Sequence, residues 1–234
     1  MSQSLIGGIG LTVLDVYDQR PGPDGVQAGC AHIHAITDEA YFGLSGSGAI
    51  ELHDPERGYR RVAIEPGSFV QFSAGTLHRS VSVDHCRILA IMGNSGLPER
   101  GDARIYFGPD IDAEPALYEE ARALVSTGLE GGLKRRDLSA LAYAGLMRLW
   151  ETDRAAYTRE LERFLAIHQR TLGSRTETMA DAIENGPLRQ ATMAFRRLAA
   201  ATATPQAAQW ALADTKISYG MCGVLRQIDH LQAG

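Results

Sequence analysis

The sequence predicts an α+β fold, a β-sandwich or barrel followed by helices, because its hydrophobic periodicity changes once along the chain. From Leu11 to Met92, short β-branched and aromatic runs recur at roughly ten-residue spacing, the pattern of a sandwich or barrel. After Phe107-Gly108-Pro109 the chain turns rich in Ala, Leu and Arg, and apolar residues recur at helical spacing. The expected division is a barrel over residues 1–112, carrying a metal site, and an all-helical region over 113–234. The helical region is expected to pack on the barrel or on a dimer partner.

The first strand is expected at Leu11–Tyr17, after Gly7-Gly8-Ile9-Gly10. Those glycines precede a strand instead of joining strand to helix, so they make a weak phosphate loop. Arg20–Gly25 is a loop on composition. Glu39–Leu44 and Gly48–His53 read as two strands joined at Ser45-Gly46-Ser47, and Tyr59–Ile64 as another. Pro66-Gly67 turns the chain into Ser68–Phe72, then Ser80–Val83 and Arg87–Met92 complete the set. In the second half, Leu117, Ala121, Leu124 and Val125 form one stripe ended by Gly128. Asp137 suits the N-cap of a helix carrying Leu138, Leu141, Ala142, Gly145 and Leu149. Glu130-Gly131-Gly132 before it reads as a flexible loop. A third stripe runs Tyr157, Leu161, Phe164, Leu165, His168, and shorter helices flank Gly186-Pro187. Thr204-Pro205 looks like the start of a helix holding Trp210, and Ile217, Met221, Val224, Leu225 and Ile228 form the last stripe. Roughly five or six helices are expected.

The chemistry concentrates between Ala31 and His78. Side chains two apart share a strand face, so His32 and His34 aim at one point. Glu39 follows at an odd offset, so Ala35-Ile36-Thr37-Asp38 must supply a turn or bulge to bring it round. His78 has to come from another strand. Three imidazoles and a carboxylate suit one divalent first-row metal, with Fe, Zn, Mn, Ni and Cu all acceptable, and an octahedral ion would keep two positions open. Tyr41 should share the inward face of Glu39 and is a candidate for binding or acting on a substrate. Gln71 is a second candidate for substrate binding, although Phe69/Gln71 and Val70/Phe72 are equally acceptable as the inward pair. Glu39 is the one acid placed in the pocket, which makes it a catalytic candidate as well as a ligand.

This pattern resembles the cupin superfamily. His32, His34, Glu39 and Gly46 match its first motif, while its leading glycine has no counterpart in register, Gly25 and Gly29 being nearest. Gly67, Gly75 and His78 match the second motif, with Ser73 and Ser82 where proline and asparagine are usual. The residues that depart are not ligands, so the donor set is complete. The resemblance implies a double-stranded β-helix (jelly roll) holding one metal ion per chain, and pairing of barrels into a homodimer. It does not fix a reaction, since the fold hosts many. The leading expectation is a mononuclear Fe(II) dioxygenase-type oxidoreductase acting on a small polar molecule. The alternatives are a metal-dependent isomerase, epimerase or lyase, and a non-catalytic binder of a sugar or acid.

Bulk properties exclude other classes. A net charge of −5 and a pI near 5.8 argue against a nucleic-acid partner. No long apolar run or basic leader marks a membrane or secretory protein, and Cys30, Cys86 and Cys222 lack metal-type pairing. A reducing cytoplasm is the expected location. Cys30 and Cys86 are expected to be inert, as no activating partner is evident. His53 and His85 adjoin turn-like residues and are expected at the surface, His168 in a helical core, and His230 at a helix end.

Overall fold

In a computed structural model, which describes residues 5–201, 208–213, 216–228 and 232–233, the chain is built on one antiparallel sheet of nine strands. The strands are β1 (Gly10–Val16), β2 (His32–His34), β3 (Glu39–Asp54), β4 (Gly58–Ile64), β5 (Phe69–Phe72), β6 (Leu77–Met92) and β7 (Ala103–Ile105). Six helices follow, α1 (Pro109–Ala113), α2 (Pro115–Ala123), α3 (Leu129–Thr152), α4 (Arg154–Leu172), α5 (Thr176–Ile183) and α6 (Arg189–Ala199). Then come β8 (Gln209–Trp210), β9 (Ser218–Tyr219), β10 (Gly223–Ile228) and β11 (Gln232–Ala233), of which β8 and β11 pair only with each other.

Two long strands organise the sheet. The segments Glu39–Leu44 and Gly48–His53 are one bent strand, β3, and Ser80–Val83 and Arg87–Met92 are likewise one strand, β6. Register shifts between Gly43 and Gly48 let the two strands bend together, so each half serves a different wall. The first half of β3 pairs with β5 and its second half with β4, while β6 lies along its other edge. Leu14, Tyr41, Ile50, Ile64, Phe72 and Ile88, drawn from β1, β3, β4, β5 and β6, pack into one cluster. These strands are neighbours in the sheet, and gathering residues from all of them into one cluster requires the sheet to curl round that face in the manner of a barrel.

The helices cover one outer wall. Tyr143 and Leu146 of α3 and Tyr157, Leu161 and Phe164 of α4 bury against Ile33, Leu77 and Tyr106. The α4 stripe is as expected, and Asp153 caps the helix by accepting a hydrogen bond from the Ala156 amide at 2.9 Å. The α3 expectation is corrected. This helix starts at Leu129, so Glu130-Gly131-Gly132 is helical and Asp137 lies inside it, bound to Arg20 and Arg136 instead of capping. Gly131 and Gly132 are buried against Leu124 and Tyr17, which explains glycine where good helix formers are usual.

The second correction concerns the end of the chain. The Ile217–Ile228 stripe is not a helix: Gly223–Ile228 is strand β10, running antiparallel to β1 from Val16↔Gly223 to Leu11↔Ile228. On its other edge β1 pairs with β6, so β10 satisfies backbone groups that would otherwise be left open. Strand β10 is covered on both faces, with Val224 against Tyr17 and Leu133 and Leu225 against the barrel core. The region after residue 112 is therefore not all-helical, and the 1–112 boundary does not enclose the barrel. Trp210 sits in the short strand β8 instead of a helix. Thr204, Pro205 and His230 lie outside the described residues.

Candidate metal centre

Strand β2 fixes two of the donors. Its pleat sends Ile33 outward into the α3–α4 contact, which leaves His32 and His34 facing the barrel interior. His78, the second residue of β6, lies directly opposite His32, their ring centroids 4.0 Å apart. Glu39 opens β3 after a bend at Ala35-Ile36, as the odd spacing requires. The four donor atoms lie within 4.8 Å of one another, and none of the four residues is more than 5% exposed.

The hydrogen bonds behind these rings decide what faces the centre. His32 Nδ1 lies 3.0 Å from the Cys30 carbonyl and His78 Nδ1 3.1 Å from the Thr76 carbonyl. His34 Nδ1 lies 3.2 Å from Asp102 Oδ2. A carbonyl or carboxylate oxygen only accepts, so each Nδ1 carries its proton, and a neutral ring then presents a bare Nε2. Glu39 Oε2 is 3.1 Å from His78 Nε2 and 3.4 Å from His34 Nε2, yet Oε2 and the His78 nitrogen make no hydrogen bond. Glu39 Oε2 and His78 Nε2 are thus orphaned in a buried interior, and His32 Nε2 has only the Cys222 thiol, 3.4 Å away. Such a set is costly unless a cation occupies its focus. The residues fit a divalent metal ion on this ground.

Electrostatics favour a neutral His32 and an ionised Glu39, while His34 is drawn toward its charged form, whose proton a bound cation would displace. Burial depresses the His32 pKa well below the ordinary histidine value, and the neighbouring His78 and His34 rings add to it. Burial opposes ionisation of Glu39, but the His78 contact and the charges of His78 and His34 outweigh it and hold the carboxyl low. Burial likewise pulls His34 down, while the hydrogen bond to Asp102 and the charge of Glu39 carry it above the usual value.

Tyr41 is fully buried beside this centre, its ring 5.4 Å from Phe72 and 6.3 Å from His78. Burial raises its pKa well above that of a free phenol, with Cys222 and Glu39 adding to the effect, so it keeps its proton. Gln71 is not brought to the site: Phe72 is buried in the barrel and Val70 packs against its core, leaving Gln71 and Phe69 on the exposed face of β5. His85 is exposed and His168 is in the helical core, as expected. His53 is a correction. It is 1% exposed, sealed by the hydroxyls of Tyr143 at 2.7 Å and Tyr157 at 2.9 Å, because α3 and α4 cover that face of β3. Cys30 and Cys86 are buried with raised pKa values, Cys86 to about 11, consistent with inert thiols.

Two residues at the centre escaped the sequence. Asp102, fully buried, takes the Ile36 amide on Oδ1 at 2.7 Å and His34 on Oδ2, while its carbonyl accepts from Ala35. It therefore orients both a donor and the turn that leads to Glu39. Cys222 places its Sγ 3.4 Å from His32 Nε2 and 3.7 Å from the Tyr41 hydroxyl. Its backbone is pinned by the Cys30 amide on the Met221 carbonyl and by Arg135 and Tyr17 on the Gly220 carbonyl. A lone acid and a lone cysteine carry no spacing signal, so neither could have been singled out.

No protein-family profile and no curated protein matches the chain. Solved structures share similarity over roughly a third of it. One is a candidate sugar phosphate isomerase from Acidithiobacillus ferrooxidans, 22% identical over 36% of this chain and 49% of that one, TM-score 0.28. Another is WlaRA, a TDP-fucose-3,4-ketoisomerase from Campylobacter jejuni, 12% identical over 34% and 57%, TM-score 0.29. A third is a cupin-2 domain protein from Shewanella frigidimarina, 19% identical over 39% and 76%, TM-score 0.29. The chain thus spans about half the length of the first two of these proteins. No helix among the described residues is long and apolar enough to cross a membrane.

Proposed function

We propose that this chain is a metal-dependent enzyme working on a small polar molecule at a mononuclear centre of His32, His34, Glu39 and His78. The observation that carries the reading is the convergence, within 4.8 Å, of three buried imidazoles held from behind at Nδ1 and one buried carboxylate, with Glu39 Oε2 and His78 Nε2 left without a hydrogen bond. A bound divalent ion would supply Lewis acidity, or redox chemistry if it is iron, with open positions in an octahedral shell. The protein's own part is to hold the rings through Cys30, Thr76 and Asp102, and to exclude water through Tyr41 and Phe72. Tyr41, protonated at neutral pH, would donate a hydrogen bond to a substrate oxygen.

Within that reading, a mononuclear Fe(II) oxygenase is our preferred assignment. Apart from Asp102, which holds His34 from behind, the groups set against the donors are a phenol and a thiol, Tyr41 and Cys222. An isomerase or epimerase moves protons, and a phenol and a thiol whose pKa values burial raises are weak bases for that at neutral pH. The test compares the purified chain loaded with Fe(II) and with Zn(II), which has no redox chemistry. Screened against small hydroxy and keto acids, the Fe(II) form should consume dioxygen and the Zn(II) form should do nothing. Equal turnover by both forms under nitrogen would replace the oxygenase with a Lewis-acid isomerase or lyase.

A further inference from the structure

A cleft of about 680 Å³ lies outside the barrel, between residues 98–104, α1, α2 and the C-terminal end of α4. It is large enough for a metabolite-sized ligand, and the four metal donors do not line it. Five arginines border it against three carboxylates, an excess of two positive charges in a chain whose net charge is −5.

These arginines are not equivalent. Arg122 is neutralised by Glu119 at 2.6 Å, and Arg100 is turned onto the Gly96 carbonyl at 2.6 Å. Arg170 and Arg175, both exposed, make no hydrogen bond or ion pair among the described residues. The Arg175 guanidinium lies across Gly101, where a Cβ would come 1.7 Å from its NH1, so only glycine leaves it that position. Arg104 forms the floor, 6% exposed, stacked 3.7 Å over the Tyr118 ring and bound to the Asp112 carbonyl at 3.1 Å. Its Nε is buried without an acceptor. Burial pushes Asp112 up to about 7, which weakens one of the three opposing charges.

We propose that this cleft binds a small dianionic oxyanion, a phosphate group either free or carried on a metabolite, at Arg170 and Arg175 above Arg104. Guanidinium forks match the tetrahedral oxygens of phosphate with paired hydrogen bonds, and two unneutralised forks suit a dianion better than a monoanion. The floor also leads to the metal centre: His168 Nε2 lies 2.5 Å from the Asp102 carbonyl, and Asp102 holds His34. An occupant would therefore sit against the support of a metal donor, the place of an effector.

The test is calorimetric titration of the full chain with inorganic phosphate and with glycerol 3-phosphate, each in metal-loaded and metal-stripped protein. Saturable binding of one anion per chain is expected in both forms, weakening as salt rises. Tighter binding of the ester identifies a metabolite, and tighter binding of inorganic phosphate identifies the free ion. Arg170→Ala and Arg175→Ala should each weaken it roughly tenfold. Neither should shift the thermal midpoint, since both side chains are exposed. Absence of saturable binding by either probe would overturn the proposal. So would binding that survives the double substitution, or binding that vanishes with the metal, which would place the anion on the metal centre.

Discussion

Replacing Asp102 by Asn isolates the support behind one donor without touching the donors themselves. The side chain is fully buried and makes two contacts, His34 Nδ1 at 3.2 Å and the Ile36 amide at 2.7 Å. Both partners donate, and a carboxylate serves both. An asparagine has one oxygen and an NH2 group, so one of the two partners would face a donor. If the oxygen stays with Ile36, His34 loses the acceptor that fixes its tautomer, and its Nε2 no longer points a lone pair at the centre. Losing such a support typically costs roughly ten- to a hundredfold in metal affinity, about 1.4 to 2.7 kcal/mol. If the oxygen turns to His34, the Ile36 turn is left with an unmet amide, and the metal-free protein loses about 2 kcal/mol of stability. Zn(II) competition against a chromophoric chelator reads the first outcome, and urea unfolding of the stripped protein reads the second. Zinc affinity within twofold of the parent, together with an unchanged urea midpoint, would refute the role assigned to Asp102.

Three further expectations follow from the same contacts. His53 is held neutral by burial, its pKa lowered to about 3 from 6.5, so the unfolded chain takes up a proton before the folded one does. Stability from this group is present above about 6.5 and falls by about 1.4 kcal/mol per pH unit down to about 3; His53→Phe should reduce the slope seen in pH-dependent urea titrations by that one-proton share, the buried His32 and His168 keeping theirs, and an unchanged slope would refute the assignment. Cys222→Ala should leave zinc affinity within a fewfold of the parent, because the four donors are complete without it, and a loss beyond about tenfold would make the thiol a fifth donor. A chain ending at Ala201 should aggregate, since removing β10 opens the β1 edge and uncovers the barrel core; a soluble, monomeric, metal-loaded truncation would contradict that reading.

The donor set was legible because strand pleating converts sequence spacing directly into facing. His32 and His34 obey the two-residue rule, and the turn needed to recover Glu39 sits at Ala35-Ile36. The α4 stripe was legible for the same reason, with one face buried and one exposed. Strand β10 was not, because a strand covered on both faces carries apolar residues at both parities and imitates helical spacing. Gly220 and Gly223 were the available warning: Gly223 passes so close to β1 that a Cβ would lie 2.0 Å from the Asp15 carbonyl oxygen. His53 misled because its neighbours Asp54-Pro55 form a turn, and nothing local reveals that helices from another part of the chain cover it.

The position of Cys222 immediately before β10 has a temporal consequence. It meets His32 across 190 residues of sequence, with all six helices between them. A chain made from its N-terminus releases every donor into solution long before the wall that flanks them exists. During synthesis the nascent barrel is an open trough, its histidines accessible to any ion and its β1 edge unpaired. Burial of the centre, and with it selection of what stays bound there, must wait until β10 closes the edge. Metal capture and final closure are then separable events in the life of this protein, and the order in which they occur would decide which ion it keeps.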